Sequence, residues 1–341
     1  MQRPILDPTF MADPEPAKGP KSKRRRFAWV WKAVVKIWNI LILDPLGRRQ
    51  KVRIEDGKLW ERILRSLTYR LALVPVLLVI FLVTLILAAT HPGRTAVGAD
   101  PLAFGVHYDP VSFLTSDNVK LEGWLVPALD ARDVIKEGEK ALHKQSPAVV
   151  LVHDFAGSRQ QLLPLVKPLH DHGFVVLLVA LRGGQSLTGD AQTFGLKEAM
   201  DVQAAVDLLR RRAFVDPAKI AVVGTGTGAN AALLAMKKDP SISALVLSGP
   251  IDGFDEAFAR RIGENHAWLP PLRTLFRWTF QVMYSVDAED LKLRNFNTQM
   301  AGRRVLMMDA KRGLLAQSAV RDVQHFLASR MGASQSVAGA R

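Results

Sequence analysis

The run LALVPVLLVIFLVTLILAAT, Leu71 to Thr90, holds 20 consecutive residues without a charge. A helix rises about 1.5 Å per residue, so this run reaches roughly 30 Å, the hydrocarbon thickness of a bilayer. A buried helix of a soluble domain would carry an amphipathic stripe or polar interruptions, and the run has neither. Pro75 sits near its start, where a helix end accepts proline better than its middle does. Arg62, Arg65 and Arg70 flank one side and His91-Pro92-Gly93 closes the other. Seventy residues precede the run, which predicts a single-pass signal anchor and not a cleaved leader.

Charge sets the expected orientation. Residues 1–70 hold 17 Lys and Arg against 7 Asp and Glu, whereas the other 271 hold 29 against 25. Basic residues gather on the cytoplasmic side of a span. The N-terminus is therefore expected in the cytoplasm, with the large C-terminal portion outside the cell membrane. The same lopsided distribution accounts for the net charge of +14 without nucleic acid, which is not an expected partner. Residues 1–26 read as a disordered basic segment ending in KSKRRR. In FAWVWKAVVKIWNILIL, Lys32, Lys36 and Asn39 share one helical face, and Trp31, Val34, Val35, Trp38 and Leu41 another. That pattern suits a helix lying on anionic lipid, so 27–70 is read as an interfacial and juxtamembrane region. The Asp56-Gly57 pair inside VRIEDGKLW predicts a small hairpin. The chain has no cysteine, which excludes disulfides, a thiolate nucleophile and zinc–thiolate sites.

Beyond Asp100 the pattern alternates. VSFLTSDNVKLEGWLVPA predicts two antiparallel strands joined at Asp117-Asn118. AVVLVHDF, FVVLLVAL, KIAVVG, ALVLSG and RRVLMMD are apolar, β-branched runs of the kind buried on both faces of a parallel sheet. Helical patterns separate them, and a last helix is expected to end near Met331. Residues 250–300 break the rhythm and are expected to form a helical cap; 332–341 are expected to be a flexible tail.

Several of these stretches, in order, resemble the α/β-hydrolase superfamily, and within it the membrane-anchored, serine-peptidase-like esterase branch. They are the hairpin SDNVKLEGWLVPA, the loop VLVHDFAGSR, ALRGGQS, TFGLKEAMDVQAAVDLLRRR and the turn VDPAKIAVVGTGTGAN. The resemblance covers about 104–331. It implies a mostly parallel sheet with helices on both faces and a helical cap, preceded here by the single transmembrane helix. It also implies a nucleophile elbow G-x-S-x-G at the strand–helix turn. Here the elbow reads Gly224-Thr225-Gly226-Thr227-Gly228, with glycine where the serine belongs. The loop that supplies the oxyanion hole reads His153-Asp154-Phe155, which puts a carboxylate where negative charge would develop. At the place of the triad acid a gapless comparison finds Arg312, with Asp309 early, and His325 falls in a helical pattern. Acyl transfer is therefore not expected and no catalytic residue is assigned.

Other readings compete. GTGTGA also satisfies a dinucleotide fingerprint, but the strand before it comes late in the domain and ALVLSGP ends without the acidic ribose partner. A small anion or lipid headgroup resting at Gly226 to Gly228 stays open. Ser158 reads as an N-cap. His170, Asp171 and His172 mimic a metal cluster but sit at a helix end before Gly173, where a C-cap explains them; His266 stands alone. No metal and no cofactor are expected. Two roles remain: an inactive, membrane-anchored protein holding an acyl or lipid ligand or a membrane-protein partner, or a hydrolase with a non-standard nucleophile. A ligand in the emptied site is expected to touch His153, Phe155, Gly226 and Thr227.

Overall fold

The computed structural model describes residues 56–93, 98–128, 144–183, 190–262, 270–296, 304–309 and 314–331, with the single positions 135, 138 and 300. The expected disordered segment, the interfacial helix and the C-terminal tail lie outside these residues. The chain divides into two units, Met1–Ile80 and Phe81–Arg341.

One helix, α1 (Asp56–Thr90), crosses that division. Residues Arg70–Thr90 are apolar and long enough to cross a membrane, with a mean hydropathy of 3.1. Two expectations are corrected here. Residues 56–60 are helical, not part of a hairpin. Pro75 is consequently interior to the helix. It forfeits the bond to the carbonyl four residues back, a loss that transmembrane helices tolerate. In the first unit Leu67, Leu71, Val76 and Val79 are exposed.

In the second unit the same helix ends in a sharply divided surface. Leu82, Ile86, Ala89 and Thr90 form one buried stripe, while Leu87 on another side is 42% exposed. The carbonyls that a helix end leaves unpaired find partners. Gln192 N–H donates to Thr90 O at 2.8 Å, and Arg261 Nε donates to Ala89 O at 3.2 Å.

The sheet has seven strands in the order β1-β2-β4-β3-β5-β6-β7. These are β1 (Asp109–Leu114), β2 (Lys120–Val126), β3 (Ser146–Val152), β4 (Val175–Ala180), β5 (Val215–Thr225), β6 (Ala244–Ser248) and β7 (Val305–Met308). β1 and β2 form the expected hairpin, with Asn118 at positive φ in its turn. β2 pairs antiparallel with β4, and every later pairing is parallel. The central strands are buried on both faces, which is why they read as unbroken apolar runs.

Helices cover the two faces. Val149, Leu151, Val176, Leu178, Val223 and Val246 share one core with α2 (Leu163–Asp171) and the closing helix α7 (Gln317–Met331). α3 (Glu198–Arg210) and α4 (Thr227–Lys238) pack on the other face, against each other and β5. Between β6 and β7 come α5 (Phe254–Ile262) and α6 (Pro270–Tyr284), in the segment expected to form the cap.

Candidate functional site

A single residue, Gly226, separates the end of β5 from the start of α4. Gly226 takes φ 54 and ψ −120, a conformation that costs an L-residue roughly 1–3 kcal/mol and glycine little. Its neighbours need small size for another reason. A Cβ on Gly224 would come within 2.5 Å of Gly228 O, and one on Gly228 within 2.7 Å of Val152 O. The glycines let α4 start directly over the strand ends.

The loop after β3 meets this corner. Asp154 Oδ1 accepts hydrogen bonds from Phe155 N–H at 2.7 Å and Thr227 N–H at 2.8 Å. Thr227 Oγ1 lies 3.2 Å from the same oxygen. A Cβ built on Gly226 would overlap the Asp154 carboxylate. The carboxylate thus fills the space a nucleophile's side chain would need and takes up both amides facing it.

The loop is held from behind. Ala156, at φ 54, donates its N–H to Gln192 Oε1 at 3.0 Å. Gln192 Nε2 in turn donates to Arg182 O at 2.9 Å, and Gln192 is 1% exposed. Its place in GDAQTFGL offers no periodicity or motif by which this role could be read from sequence.

In front, the loop carries an aromatic cluster. Phe155 stacks on Phe194 at 5.4 Å, and Phe194 meets Phe254 of α5 at 6.1 Å and Phe280 of α6 at 5.7 Å. The Arg261 guanidinium stands 5.0 Å from the Phe155 ring centre. Helices α5 and α6 therefore lean onto the loop beside the elbow.

The serine aminopeptidase (S33) family model matches residues 143–310. An esterase of Pyrococcus furiosus, Pf2001, shares the fold with a TM-score of 0.52 at 21% identity, over 71% of this chain and 98% of its own. The chain has the α/β-hydrolase fold. It is 33% identical over 162 residues to an uncharacterized Mycobacterium tuberculosis protein, covering 47% of this chain and 50% of that one. It is 28% identical over 158 residues to the polyketide transferase ATR5 of Stachybotrys chlorohalonatus, covering 43% and 46%. The chain spans about half the length of the curated relatives it matches.

In this superfamily the oxyanion hole uses the amide after the nucleophile and one from the loop after the third strand. Thr227 N–H and Phe155 N–H occupy those places, and both are donating to Asp154. The small anion or headgroup left open for Gly226 to Gly228 finds the Thr227 amide already taken.

His153 departs from the ligand-facing position expected for it. It is fully buried. Nδ1–H donates to Asp154 O at 2.8 Å, and Nε2 accepts from Leu181 N–H at 3.2 Å. Burial pushes its pKa down, so the ring is a neutral strut between β3 and β4 with no nitrogen left for a ligand. Phe155, Gly226 and Thr227 do sit together at the corner.

The remaining sequence candidates scatter. Asp309 follows β7 and is exposed, His325 is exposed on α7, and Arg312 and His266 lie outside the described residues. Among the described residues no histidine hydrogen-bonds the Asp154 carboxylate or Thr227. Ser158 stands at the N-cap place of a 3-10 turn, with the extended backbone a cap residue takes, but makes no side-chain cap bond, which corrects the capping expectation. His172 caps α2 instead, with Nδ1 2.9 Å from Pro168 O. Among the described residues no three metal-ligating side chains gather.

One charged cluster supports the site from outside it. Arg182, at the end of β4, is 2% exposed. Its Nη1 donates to Asp117 Oδ2 at 2.6 Å, and its Nε to Asp201 Oδ1 at 2.9 Å. Asp201 also accepts from Arg182 N–H at 3.0 Å. The guanidinium holds the Asp117 carboxyl down at about 2. Burial raises the Asp201 carboxyl above its usual range, against the opposing pull of Arg182. The trio joins the hairpin turn, the β4 end and α3.

Proposed function

We propose that this chain is a membrane-anchored α/β-hydrolase-fold protein that does not carry out acyl transfer and acts by binding, as a lipid or acyl-ligand holder or a scaffold. One observation carries the reading: the Asp154 carboxylate accepts from both amides that would stabilise an oxyanion, at 2.7 and 2.8 Å. An anion fixed there repels the developing alkoxide that such amides are meant to stabilise. Gly226 adds the missing nucleophile, and the lack of an imidazole bonded to Thr227 among the described residues adds the missing base. The family's esterase, thioesterase and peptidase chemistry needs all three parts.

The second reading is a hydrolase with a non-standard nucleophile, and Thr227 Oγ1, 3.2 Å from Asp154 Oδ1, is the hydroxyl that favours it. A carboxylate oxygen already accepting two amide bonds is a weak base, which counts against this role. Purified full-length protein should neither turn over p-nitrophenyl esters nor be labelled by a fluorophosphonate. Turnover abolished by Thr227→Val would establish the second reading in place of the first.

The apolar helix and the basic N-terminal seventy residues support a single pass with the N-terminus cytoplasmic and the domain outside. The bilayer is the proposed partner and nucleic acid is not. Protease added to intact cells should digest residues beyond His91; digestion only from the cytoplasmic face would reverse this orientation.

A further inference from the structure

Among the described residues four that are not glycine hold a positive φ: Asn118 at 61°, Ala156 at 54°, Phe194 at 60° and Ser285 at 53°. Asparagine in a hairpin turn accounts for the first. The other three lie around one place, the end of α1. Gln192, two residues before Phe194, donates its N–H to Thr90 O at 2.8 Å and accepts from Ala156 N–H at 3.0 Å. Tyr284, directly before Ser285, sets its Oη 2.7 Å from Thr90 Oγ1. Left-handed backbone strains an alanine or a phenylalanine, and it persists only where the surroundings enforce it.

A second connection runs in parallel. Arg261 donates from Nε to Ala89 O at 3.2 Å, and its guanidinium stands 5.0 Å from the Phe155 ring centre. Gln192 and Arg261 thus each hold one of the last two carbonyls of α1 and one residue of the Asp154 loop. Phe194 completes the link by stacking on Phe155 at 5.4 Å. All of these residues belong to the second unit.

We infer that the end of α1 is a latch for the loop. While Ala89 and Thr90 are docked, Gln192 and Arg261 keep Phe155 and Ala156 in place, with Asp154 on the amides of Phe155 and Thr227. When the helix end leaves, the strained backbone at Ala156 and Phe194 relaxes and the two amides lose their carboxylate. The elbow then opens to an outside anion only in the undocked state. The latch goes beyond the binding reading, and it depends neither on a bilayer around α1 nor on the absence of turnover.

Amide hydrogen exchange of the full chain in detergent tests the latch. Ile86→Ala removes a fully buried side chain from the docked turns. Val323→Ala, equally buried in the core between the sheet and α7, controls for lost global stability. In Ile86→Ala the His91 amide, bonded to Leu87 O, and the amides of Phe155, Ala156 and Thr227 should all exchange about tenfold faster than in Val323→Ala. Tyr284→Phe removes only the hydroxyl at Thr90. It should speed the same amides about threefold over the unaltered chain, and it carries the test if Ile86→Ala does not fold. Faster exchange at His91 with the loop amides unchanged overturns the latch. Loop amides that speed up as much in Val323→Ala also overturn it, since global opening then explains them. So does a His91 amide unchanged in both variants of the helix dock, because the end of α1 would not depend on its docking.

Discussion

A serine placed at position 226 meets two obstacles at once. Its backbone must hold φ 54, and its Cβ must displace the Asp154 carboxylate. Strain and the loss of charge-assisted bonds together predict that Gly226→Ser destabilises the protein by about 2–4 kcal/mol in urea unfolding. Asp154→Gly removes the overlap. The double variant should therefore be more stable than the sum of the two single losses by about 1 kcal/mol or more. Equal additivity would mean that the two positions do not compete for one space. The double variant is still expected to lack ester turnover, because among the described residues no imidazole is bonded to the Asp154 carboxylate or Thr227. Glycine at 226 was plain in the sequence, and so was an acid at 154. That the acid's oxygen enters the amide pair could not be read there, since it depends on where a loop 70 residues away folds back.

Elements are joined by a few buried polar side chains, and Arg182 is the foremost. Replacing it by methionine strands Asp201, which is fully buried, and should cost about 3–5 kcal/mol. The pH dependence separates its two partners. Asp117 titrates at about 2 in the folded protein against a usual 3.8, so its contribution is present above about pH 4 and is lost as pH falls toward 2. With its side chain 31% exposed, screening leaves on the order of 1–2 kcal/mol for that acid limb. In Arg182→Met the raised Asp201 loses its counter-charge. With Arg182 present that carboxyl already titrates at about 7, so the deficit of the variant should widen as pH rises above 7, where the wild-type carboxylate is ionised against Arg182 and the stranded one still holds its proton. A deficit independent of pH in thermal melts would show that lost packing, not charge, is what Arg182→Met removes. The motif ALRGGQS marked this loop, yet nothing in its spacing said which acids the arginine would reach.

At the scale of the whole molecule, the apolar helix serves two environments. Ile86 is fully buried while Val79 is 57% exposed, though the sequence around them is equally greasy. Ile86→Ala should cost about 2–4 kcal/mol in thermal unfolding of the full chain in detergent, and Val79→Ala close to nothing. Equal, small effects would mean that the last turns of α1 do not pack against the domain. The strands themselves, the hairpin and the alternation of strand and helix were legible in the sequence. They rest on local signals: β-branched runs, an Asp-Asn turn and glycines at a tight corner. The 20-residue apolar run was legible too, because its length and lack of charge suffice. The Asx-Gly pair at 56–57 misled, since a turn signal becomes a hairpin only if strands flank it. Tertiary structure alone decided that His153 faces inward, that Gln192 braces the loop, and that the carboxylate of Asp154 takes the amides of Phe155 and Thr227. Such contacts join residues far apart in sequence, and hydrogen-bond geometry, not residue type, determines which of them form.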